Sequence, residues 1–261
     1  MLEIRNASCG FPGRTIIKDI SFSIAPGELL CLLGPNGVGK TTLFKTILGS
    51  LQLQAGEILL HGENVSSWSR RRFATKVGYV PQAHTPPFPF QVLEVVTMGR
   101  TAHLGPFSTP SASDNAIALN ALENLGIAHL RDSVYTEISG GERQLVLIAR
   151  ALAQQVEILI MDEPTSNLDF GNQIKLLEHI RKVVDTERLS VILTTHYPNH
   201  ALMYASKAVL LGRDQLVSIG RPEEVITEAY LKNAYEVEAQ MFGIQNRQGR
   251  NFTVCIPTPR G

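Results

Sequence analysis

The sequence has little of several features that would place it in a special class of protein. Its three cysteines, Cys9, Cys31 and Cys255, are too few and too widely spaced for a disulfide framework or a metal cluster, so we expect reduced thiols. With 24 basic and 24 acidic residues, the charge balance does not indicate a nucleic-acid-binding surface. No apolar run approaches the ~20 residues of a membrane helix, and we expect neither a signal peptide nor a membrane-spanning segment.

What the sequence does contain is an alternation of short β-rich runs with longer helical patterns. This alternation predicts an α/β fold with a mostly parallel sheet. Between about 81 and 137 strand patterns are few and prolines are frequent, so we expect a helical insertion there. The predicted core strands are 28–33, 77–80, 157–161 and 191–194.

Residues 34–41 match the phosphate-binding loop pattern G-x-x-x-x-G-K-[ST], between a predicted buried strand and a predicted helix. The glycines let successive backbone N–H groups face phosphate oxygens. Lys40 is expected to contact the β- and γ-phosphates of a nucleotide, and the Thr41 hydroxyl to bind Mg²⁺. The nucleotide-binding residues predicted from this loop are Gly34, Pro35, Asn36, Gly37, Val38, Gly39, Lys40, Thr41 and Thr42.

A second predicted strand ends in two acidic residues, Asp162 and Glu163. If this strand lies beside the strand of the phosphate-binding loop, Asp162 would hold Mg²⁺ through water. Glu163 is then the natural general base for an attacking water, a role that typically contributes about 10²–10⁴-fold to a rate. Together the two motifs predict nucleotide hydrolysis, whereas the loop alone leaves the P-loop family open.

Between these motifs, residues 138–144 read Ile-Ser-Gly-Gly-Glu-Arg-Gln and open a predicted helix. This segment resembles the signature sequence of ABC ATPases, usually L-S-G-G-Q, with Glu142 in the place of Gln. The resemblance covers essentially the whole chain. Further positions resemble, in order, the adenine-stacking aromatic (Phe11, where Tyr is commoner), the Q-loop glutamine (Gln82), the D-loop (Ser166–Asp169) and the switch histidine (His196).

The resemblance implies a P-loop NTPase core with a mixed, mostly parallel sheet, an N-terminal antiparallel β subdomain and a helical insertion subdomain. It implies a single domain over 1–261, with the core and β subdomain at 1–80 and 157–261 and the helical subdomain, which carries the signature segment, at about 83–156. It also implies ATP and Mg²⁺ as ligands. The added ATP-binding residues are Phe11, Ser139, Gly140, Gly141, Glu142 and Asp169; the catalytic residues are Glu163, His196, Gln82 and Lys40; the metal ligands are Thr41, Gln82 and Asp162.

The resemblance further implies a head-to-tail homodimer. Ser139 and Gly141 at a helix N-terminus of one subunit would face the phosphates held by Lys40 of the other. ATP then stabilises only the closed dimer, and hydrolysis opens it. The other implied partners are polytopic permease subunits in the membrane and, indirectly, a periplasmic or extracellular substrate-binding protein. The expected location is peripheral, on the cytoplasmic face of the inner cell membrane, and no nucleic acid is expected.

Further resemblances favour one branch of the family. Segments 95–105, 168–173 and 230–242 are similar to ATPases of importers for iron chelates, haem, cobalamin and molybdate, so we expect import of a metal chelate, cobalamin, haem or an oxyanion. The alternatives are an exporter subunit and a soluble ABC ATPase acting on DNA or ribosomes, although the latter usually has a coiled-coil insertion or two cassettes. A P-loop kinase or GTPase is disfavoured by the Ser139–Gly141 helix start and by His196.

The permease contact is expected between Gln82 and Arg100, because the Q-loop joins the nucleotide site to this part of the insertion. A partner surface there should be apolar. The residues expected to form it, after the proline-rich stretch 86–89, are Phe88, Phe90, Val92, Leu93 and Met98.

Overall fold

The computed structural model describes residues 1–82, 88–105, 107–213, 217–245, 249 and 251–258. Positions 86 and 87 of the proline-rich stretch, and the expected start of the helical subdomain at 83, lie outside these residues. The strands in the described residues are β1 (Leu2–Phe11), β2 (Arg14–Ile24), β3 (Leu29–Leu33), β4 (Ala55–Leu60), β5 (Glu63–Asn64), β6 (Val77–Val80), β7 (Ile158–Met161), β8 (Ser190–Thr195), β9 (Lys207–Leu211), β10 (Val217–Gly220), β11 (Ala239–Gln245) and β12 (Asn251–Pro257).

Helices separate most of these strands. Within the described residues, no helix is both long enough and apolar enough to cross a membrane. Short 3₁₀ turns occur at Val65–Ser67, Met98–His103 and Ala128–Leu130. The α-helices are α1 (Lys40–Ile47), α2 (Arg70–Ala74), α3 (Val92–Thr97), α4 (Ala112–Asn124), α5 (Gly140–Ala153), α6 (Phe170–Glu187), α7 (Pro198–Tyr204), α8 (Pro222–Val225) and α9 (Glu228–Tyr235).

The chain divides into two compact units, of which the first contains 1–67 and 190–261. Its N-terminal sheet is antiparallel in the order β2-β1-β4-β5. At one end of this sheet, Leu2 of β1 pairs with Ile24 of β2 on one side and with Leu60 of β4 on the other. All three side chains are fully buried, so they form one apolar row across the sheet. The structure thus contains the antiparallel β element that the resemblance implied.

Parallel strands form the centre of the first unit. β3 pairs in parallel with β8 on one side and with β9 on the other, and β10 runs antiparallel to β9. Every residue of β3 is at most 1% exposed, as expected of a parallel strand covered on both faces. Leu33 pairs with Thr195, so the loops that follow β3 and β8 leave the sheet side by side. The predicted α/β class is therefore confirmed.

The C-terminal part of the first unit is a hairpin of β11 and β12, with Ala239 opposite Pro257 and Met241 opposite Cys255. One of its faces packs on the unit, since Ala239 and Cys255 are buried. The backbone N–H of Met241 also donates to the carboxylate of Glu228 in α9, at 3.0 Å. The hairpin is therefore held by contacts from both strands.

The second unit, 68–189, joins a strand pair to helices. β6 pairs in parallel with β7, from Val77 opposite Ile158 to Val80 opposite Met161. Helices α3, α4 and α5 pack on one another through residues at helical spacing, as the insertion was expected to do. Their buried apolar residues are Val92, Val95, Val96, Ala118, Ala121, Leu122, Val146, Leu147, Ile148, Ala149, Ala151 and Ala153.

A buried ion pair connects these helices. Nε of Arg100 lies 3.0 Å from Oδ1 of Asp114, and both side chains are nearly inaccessible to solvent. Nη1 of Arg100 also donates to the carbonyl of Ala153, at 2.8 Å. Asp114 in turn accepts hydrogen bonds from the hydroxyl and the backbone N–H of Ser111, where α4 begins. These bonds and the guanidinium lower the pKa of Asp114 to about 2.

All three cysteine side chains are buried: Cys9 in β1, Cys31 in β3 and Cys255 in β12. Burial raises the pKa of each thiol above its ordinary value, because a thiolate loses its hydration in an apolar environment.

Candidate functional site

The phosphate-binding loop follows β3 and leads into α1, as the sequence predicts. Two of its glycines need left-handed backbone, Gly37 with φ of 79° and Gly39 with φ of 113°. A Cβ on Gly39 would also lie 2.7 Å from Cγ2 of Ile16 in β2. Gly39 occupies the N-cap position of α1 and has no side chain with which to cap it. The first turn of α1 therefore presents backbone N–H groups to a ligand.

The side chain of Lys40 packs against the backbone of this loop. Lys40 is only 6% exposed, and its Nζ donates to the carbonyls of Gly34, at 2.7 Å, and Pro35, at 3.2 Å. Thr41, by contrast, is exposed, and Thr42 is half-buried. The ammonium group is thus held against the loop, so a polyphosphate there would meet a positioned cation.

The outer side of the loop borders an open cavity of about 490 Å³ in the first unit. Three cationic side chains, Arg14, Lys18 and Arg213, contribute to its lining, and they favour an anionic ligand. Phe11, at the end of β1, has 48% of its surface exposed, so its ring is available for stacking. The other lining residues are Thr15, Ile16, Ile17, Pro35, Asn36, Gly37, Val38, Leu211, Gly212 and Val217.

His196 lies just beyond β8, in the same unit as the loop. Because Leu33 and Thr195 are paired, the phosphate-binding loop and His196 leave neighbouring strands at the same edge of the sheet. The ring of His196 packs on that of Tyr197, with 4.2 Å between centroids. The structure therefore places the predicted switch histidine beside the predicted phosphate site.

In the second unit, Asp162 and Glu163 follow β7 and Gln82 follows β6. The Asp162 residue is 6% exposed, and its backbone N–H donates to the carbonyl of Val80, at 2.9 Å. Burial, together with the negative charge of Asp162, raises the pKa of Tyr79. Nε2 of Gln82 donates to Oε2 of Glu163, at 3.1 Å. Two residues predicted separately as catalytic are thus brought into direct contact.

The backbone at Glu163 is unusual for a non-glycine residue, with φ of 46°. Ser166 holds this turn, because its N–H and its hydroxyl both donate to the Glu163 carbonyl, at 3.1 and 3.0 Å. Nδ2 of Asn167 donates to the carbonyl of Gln82, at 3.3 Å. The loop 166–169 therefore fixes the direction in which the Glu163 side chain leaves the strand.

Ser139 caps helix α5, whose first turn contains the signature glycines. Its hydroxyl accepts from the N–H of Glu142, at 3.3 Å, and its own N–H donates to the Glu142 carboxylate, at 2.8 Å. These bonds lower the pKa of Glu142. Glu142, which stands where the signature usually has Gln, thus completes a capping box with Ser139. Ser139 and Gly140 remain exposed at the start of the helix. Gly141 is half-buried, and a Cβ there would lie 3.1 Å from the side chain of Leu168.

Asp169 caps the next helix, α6. Its carboxylate accepts from the N–H and from the side-chain amide of Asn172, each at 2.8 Å. The role in nucleotide binding expected for Asp169 stays a prediction, because within its own unit the carboxylate caps the N-terminus of α6.

The proposed metal ligands offer suitable chemistry. Thr41 supplies a hydroxyl, Gln82 an amide oxygen and Asp162 a carboxylate, and such oxygen donors are those that Mg²⁺ prefers. Thr41 belongs to the first unit, and Gln82 and Asp162 belong to the second. The donor set fits magnesium, so these residues remain our candidates.

The prediction of an apolar surface in the insertion is only partly correct. Phe88 and Met98 are exposed, and Phe90, half-buried, packs edge-on against Phe88 with 5.9 Å between ring centroids. Leu93 is half-buried, but Val92 is fully buried, because it faces the core of the helical insertion. Sequence reasoning missed Phe107, which is fully exposed in the loop before α4; an aromatic between Gly105 and Pro110 was the available signal.

Known proteins resemble the chain in sequence and in structure. Residues 17–166 match the sequence family described as ABC transporter. An uncharacterized ABC transporter ATP-binding protein of Haemophilus influenzae is 42% identical over 92% of this chain and 91% of its own length. The molybdate import ATP-binding protein MolC of the same organism is 34% identical over 91% and 87%. A solved structure of an ABC transporter described as metal-chelate type, in an inward-facing conformation, has a TM-score of 0.88 at 31% identity, covering 99% of this chain and 98% of that one.

Proposed function

This chain belongs to the ABC transporter family of ATP-hydrolysing subunits, and we propose that it powers the import of a metal chelate, cobalamin, haem or an oxyanion. The observation that carries the importer assignment is the 34% identity, over 91% of the chain, to a molybdate import ATP-binding protein, and the likeness to a transporter of metal-chelate type supports a chelate as cargo. The similarity to a molybdate import protein adds the oxyanion to the candidate cargoes.

The proposed ATP site is built on the phosphate-binding loop. Backbone N–H groups of residues 37–42 and the buried ammonium of Lys40 bind the phosphates, and the exposed ring of Phe11 stacks on the adenine. Mg²⁺, bound by Thr41, Gln82 and Asp162, would neutralise charge on the β- and γ-phosphates. The remaining groups proposed to contact the nucleotide are Ser139, Gly140, Gly141, Glu142 and Asp169.

Hydrolysis is proposed to use Glu163 as general base. Its carboxylate takes a proton from the attacking water, while the hydrogen bond from Gln82 keeps it in one orientation. Lys40 and His196 face the γ-phosphate, where they stabilise the negative charge of the transition state. The pair of Gln82 and Glu163 is the observation that supports this assignment.

Two chains are proposed to close head to tail around ATP. The exposed start of α5, with Ser139 and Gly140, is an anion-binding helix end that a partner's ATP can complete. Permease subunits are proposed to bind at the insertion, on the exposed residues Phe88, Met98 and Phe107. The chain is proposed to lie, through this contact, at the cytoplasmic face of the membrane. A separate substrate-binding protein delivers the cargo.

A reconstituted transport assay tests this function. The chain is combined in liposomes with the permease encoded beside it, and uptake of ferric chelates, haem, cobalamin and molybdate is measured with ATP inside. Uptake of one cargo, lost in Lys40→Ala, supports the proposal. Outward transport of the cargo would identify an exporter, and failure of the chain to bind the permease at all would favour a soluble ABC ATPase.

A further inference from the structure

The ring of His196 is the first of a series of three packed rings. His196 and Tyr197 have centroids 4.2 Å apart, and Tyr197 and His200 have centroids 4.9 Å apart. Tyr197 is 43% exposed, whereas His200 is buried, at 8% exposure. The series therefore leads from the proposed γ-phosphate contact into the interior of the first unit.

Thr195 fixes the inner end of this series. Its hydroxyl oxygen accepts from the backbone N–H of Tyr197, at 3.1 Å, and lies 3.4 Å from Nδ1 of His200. The backbone N–H of His200 donates to the Tyr197 carbonyl, at 3.1 Å, and Pro198 begins α7 between them. The turn that carries His196 and Tyr197 is thus tied to both β8 and α7.

Helix α7 is in turn held by the C-terminal hairpin. Nδ2 of Asn199 donates to the carbonyl of Cys255, at 3.0 Å, and Oδ1 of Asn199 accepts from the N–H of Cys255, at 2.7 Å. The side-chain amide thus pairs with β12 as the peptide of a neighbouring strand would. Both bonds are partly buried, where such groups are costly to leave unpaired.

We propose that Tyr197, Asn199 and His200 are positioning residues for His196, and that the hairpin β11–β12 is the element to which they anchor it. None of the three needs to touch ATP. The inference rests on the proposed function, because it takes His196 as the γ-phosphate contact. A displacement of the hairpin would then slow hydrolysis without changing the phosphate-binding loop.

The test measures single-turnover ATP hydrolysis and ATP affinity in the purified full-length chain. Asn199→Ala and Tyr197→Ala should each lower the hydrolysis rate about tenfold or more, since a misplacement of ~1 Å can cost about 10²-fold. Tyr197→Phe keeps the ring and should restore a rate close to that of the unmodified chain. ATP affinity should stay unchanged in all three, because Lys40 and the loop are intact. The matched control is Asn233→Ala, on the exposed surface of α9 in the same unit.

A double-mutant cycle with His196→Ala separates positioning from general destabilisation. If Asn199 acts through His196, Asn199→Ala slows the unmodified chain but has no further effect in the His196→Ala background. Equal losses in the two backgrounds, or no loss in either, overturn the inference and leave the proposed function standing. An unchanged rate in His196→Ala itself would instead overturn the proposed role of His196 and the inference with it.

Discussion

The side-chain amide of Gln82 donates a hydrogen bond of 3.1 Å to the carboxylate of Glu163. Gln82 follows β6 where the chain enters the insertion, and Glu163 follows the neighbouring strand β7. Asn167 adds a bond to the carbonyl of Gln82. A movement of the insertion that displaces Gln82 would therefore act directly on the proposed general base, as the proposed coupling of transport to hydrolysis requires.

Glu163→Gln should slow ATP hydrolysis by about 10²–10⁴-fold, because an amide cannot take the proton of the attacking water. ATP binding should be as tight as before or tighter, since a negative charge near the γ-phosphate is removed. The variant should then accumulate as an ATP-dependent homodimer by mass action. Phosphate release and size-exclusion chromatography with and without ATP-Mg²⁺ measure both effects. Normal turnover would remove Glu163 from the catalytic role, whereas slow turnover without a dimer would count against the head-to-tail dimer alone.

Lys40→Ala should lower hydrolysis by at least about 10²–10³-fold, as the loss of one preorganised donor does. The substitution also removes the bonds from Nζ to the carbonyls of Gly34 and Pro35, so the loop should loosen. Binding of a fluorescent ATP analogue and phosphate release are the measurements. Lys45→Ala, on the exposed side of the same helix, is the matched control and should leave both unchanged. Hydrolysis at the normal rate in Lys40→Ala would contradict the assignment of the loop.

Phe107→Ala and Phe88→Ala should weaken permease binding, each by roughly tenfold if the ring contributes about 1.4 kcal/mol at the interface. Basal hydrolysis by the isolated chain should be unchanged. Ile219→Ala in β10, which is also exposed, serves as the control and should leave permease binding intact. Co-purification with the permease and crosslinking measure the effect, and a permease found near 217–225 would refute this surface.

The ion pair of Arg100 and Asp114 should make stability depend on acid pH. The pKa of Asp114 falls from 3.8 to about 2 in the folded chain, so the carboxylate stabilises the fold above about pH 4. This contribution is lost as the pH falls through about 2. Urea unfolding should show Asp114→Asn to be less stable than the unmodified chain at pH 5, with a difference that shrinks towards pH 2.

The exposed pair of Arg131 and Asp132 provides the control for this experiment. The Asp132 side chain is 73% exposed, and such surface pairs contribute about 0–1 kcal/mol. Asp132→Asn should therefore leave the free energy of unfolding nearly unchanged at every pH. A loss in Asp132→Asn equal to that in Asp114→Asn would show that net charge, and not the buried pair, sets the acid sensitivity.

Gly99→Ala should destabilise the second unit. A Cβ at position 99 would lie 2.1 Å from the carbonyl oxygen of Arg150, so the 3₁₀ turn after α3 must move away from α5. Overpacking of this kind costs about 1–3 kcal/mol. Gly171→Ala in α6, where a Cβ would meet nothing nearer than 3.6 Å, should be neutral or slightly stabilising. The midpoints of thermal unfolding distinguish the two variants. Equal midpoints would show that the close approach of Gly99 to Arg150 does not contribute to stability.

The core strands and the main helices could be predicted because their signals are local. The strand predicted at 77–80 is β6 to the residue, and the insertion expected to be helical contains α3 and α4. The apolar run at 28–33 likewise corresponds to β3. A parallel strand that is buried on both faces has a continuous apolar sequence, and such a run is easily recognised. Gly39 and Lys40 could be assigned on the same basis, since a strand, a glycine turn and a helix follow one another directly.

Features that depend on contacts between residues distant in the sequence could not be predicted from the sequence pattern. The hairpin β11–β12 has short mixed runs, and its register is fixed by contacts with Asn199 and Glu228. Val92 was expected on the surface, because an apolar residue beside Phe88 and Phe90 does not reveal which side of α3 faces the core. The bond between Gln82 and Glu163 likewise required the pairing of β6 with β7.

The burial of Cys9, Cys31 and Cys255, with thiols that ionise only at raised pH, has a practical consequence for labelling. A maleimide or a spin label added to the folded chain should react slowly with its native residues, because the attacking species is an accessible thiolate. A single cysteine introduced at an exposed position such as Asn233 in α9 would then be modified first. Distances that test the proposed closure of two chains around ATP, or the proposed permease contact, are therefore accessible to spectroscopy without first replacing the natural cysteines.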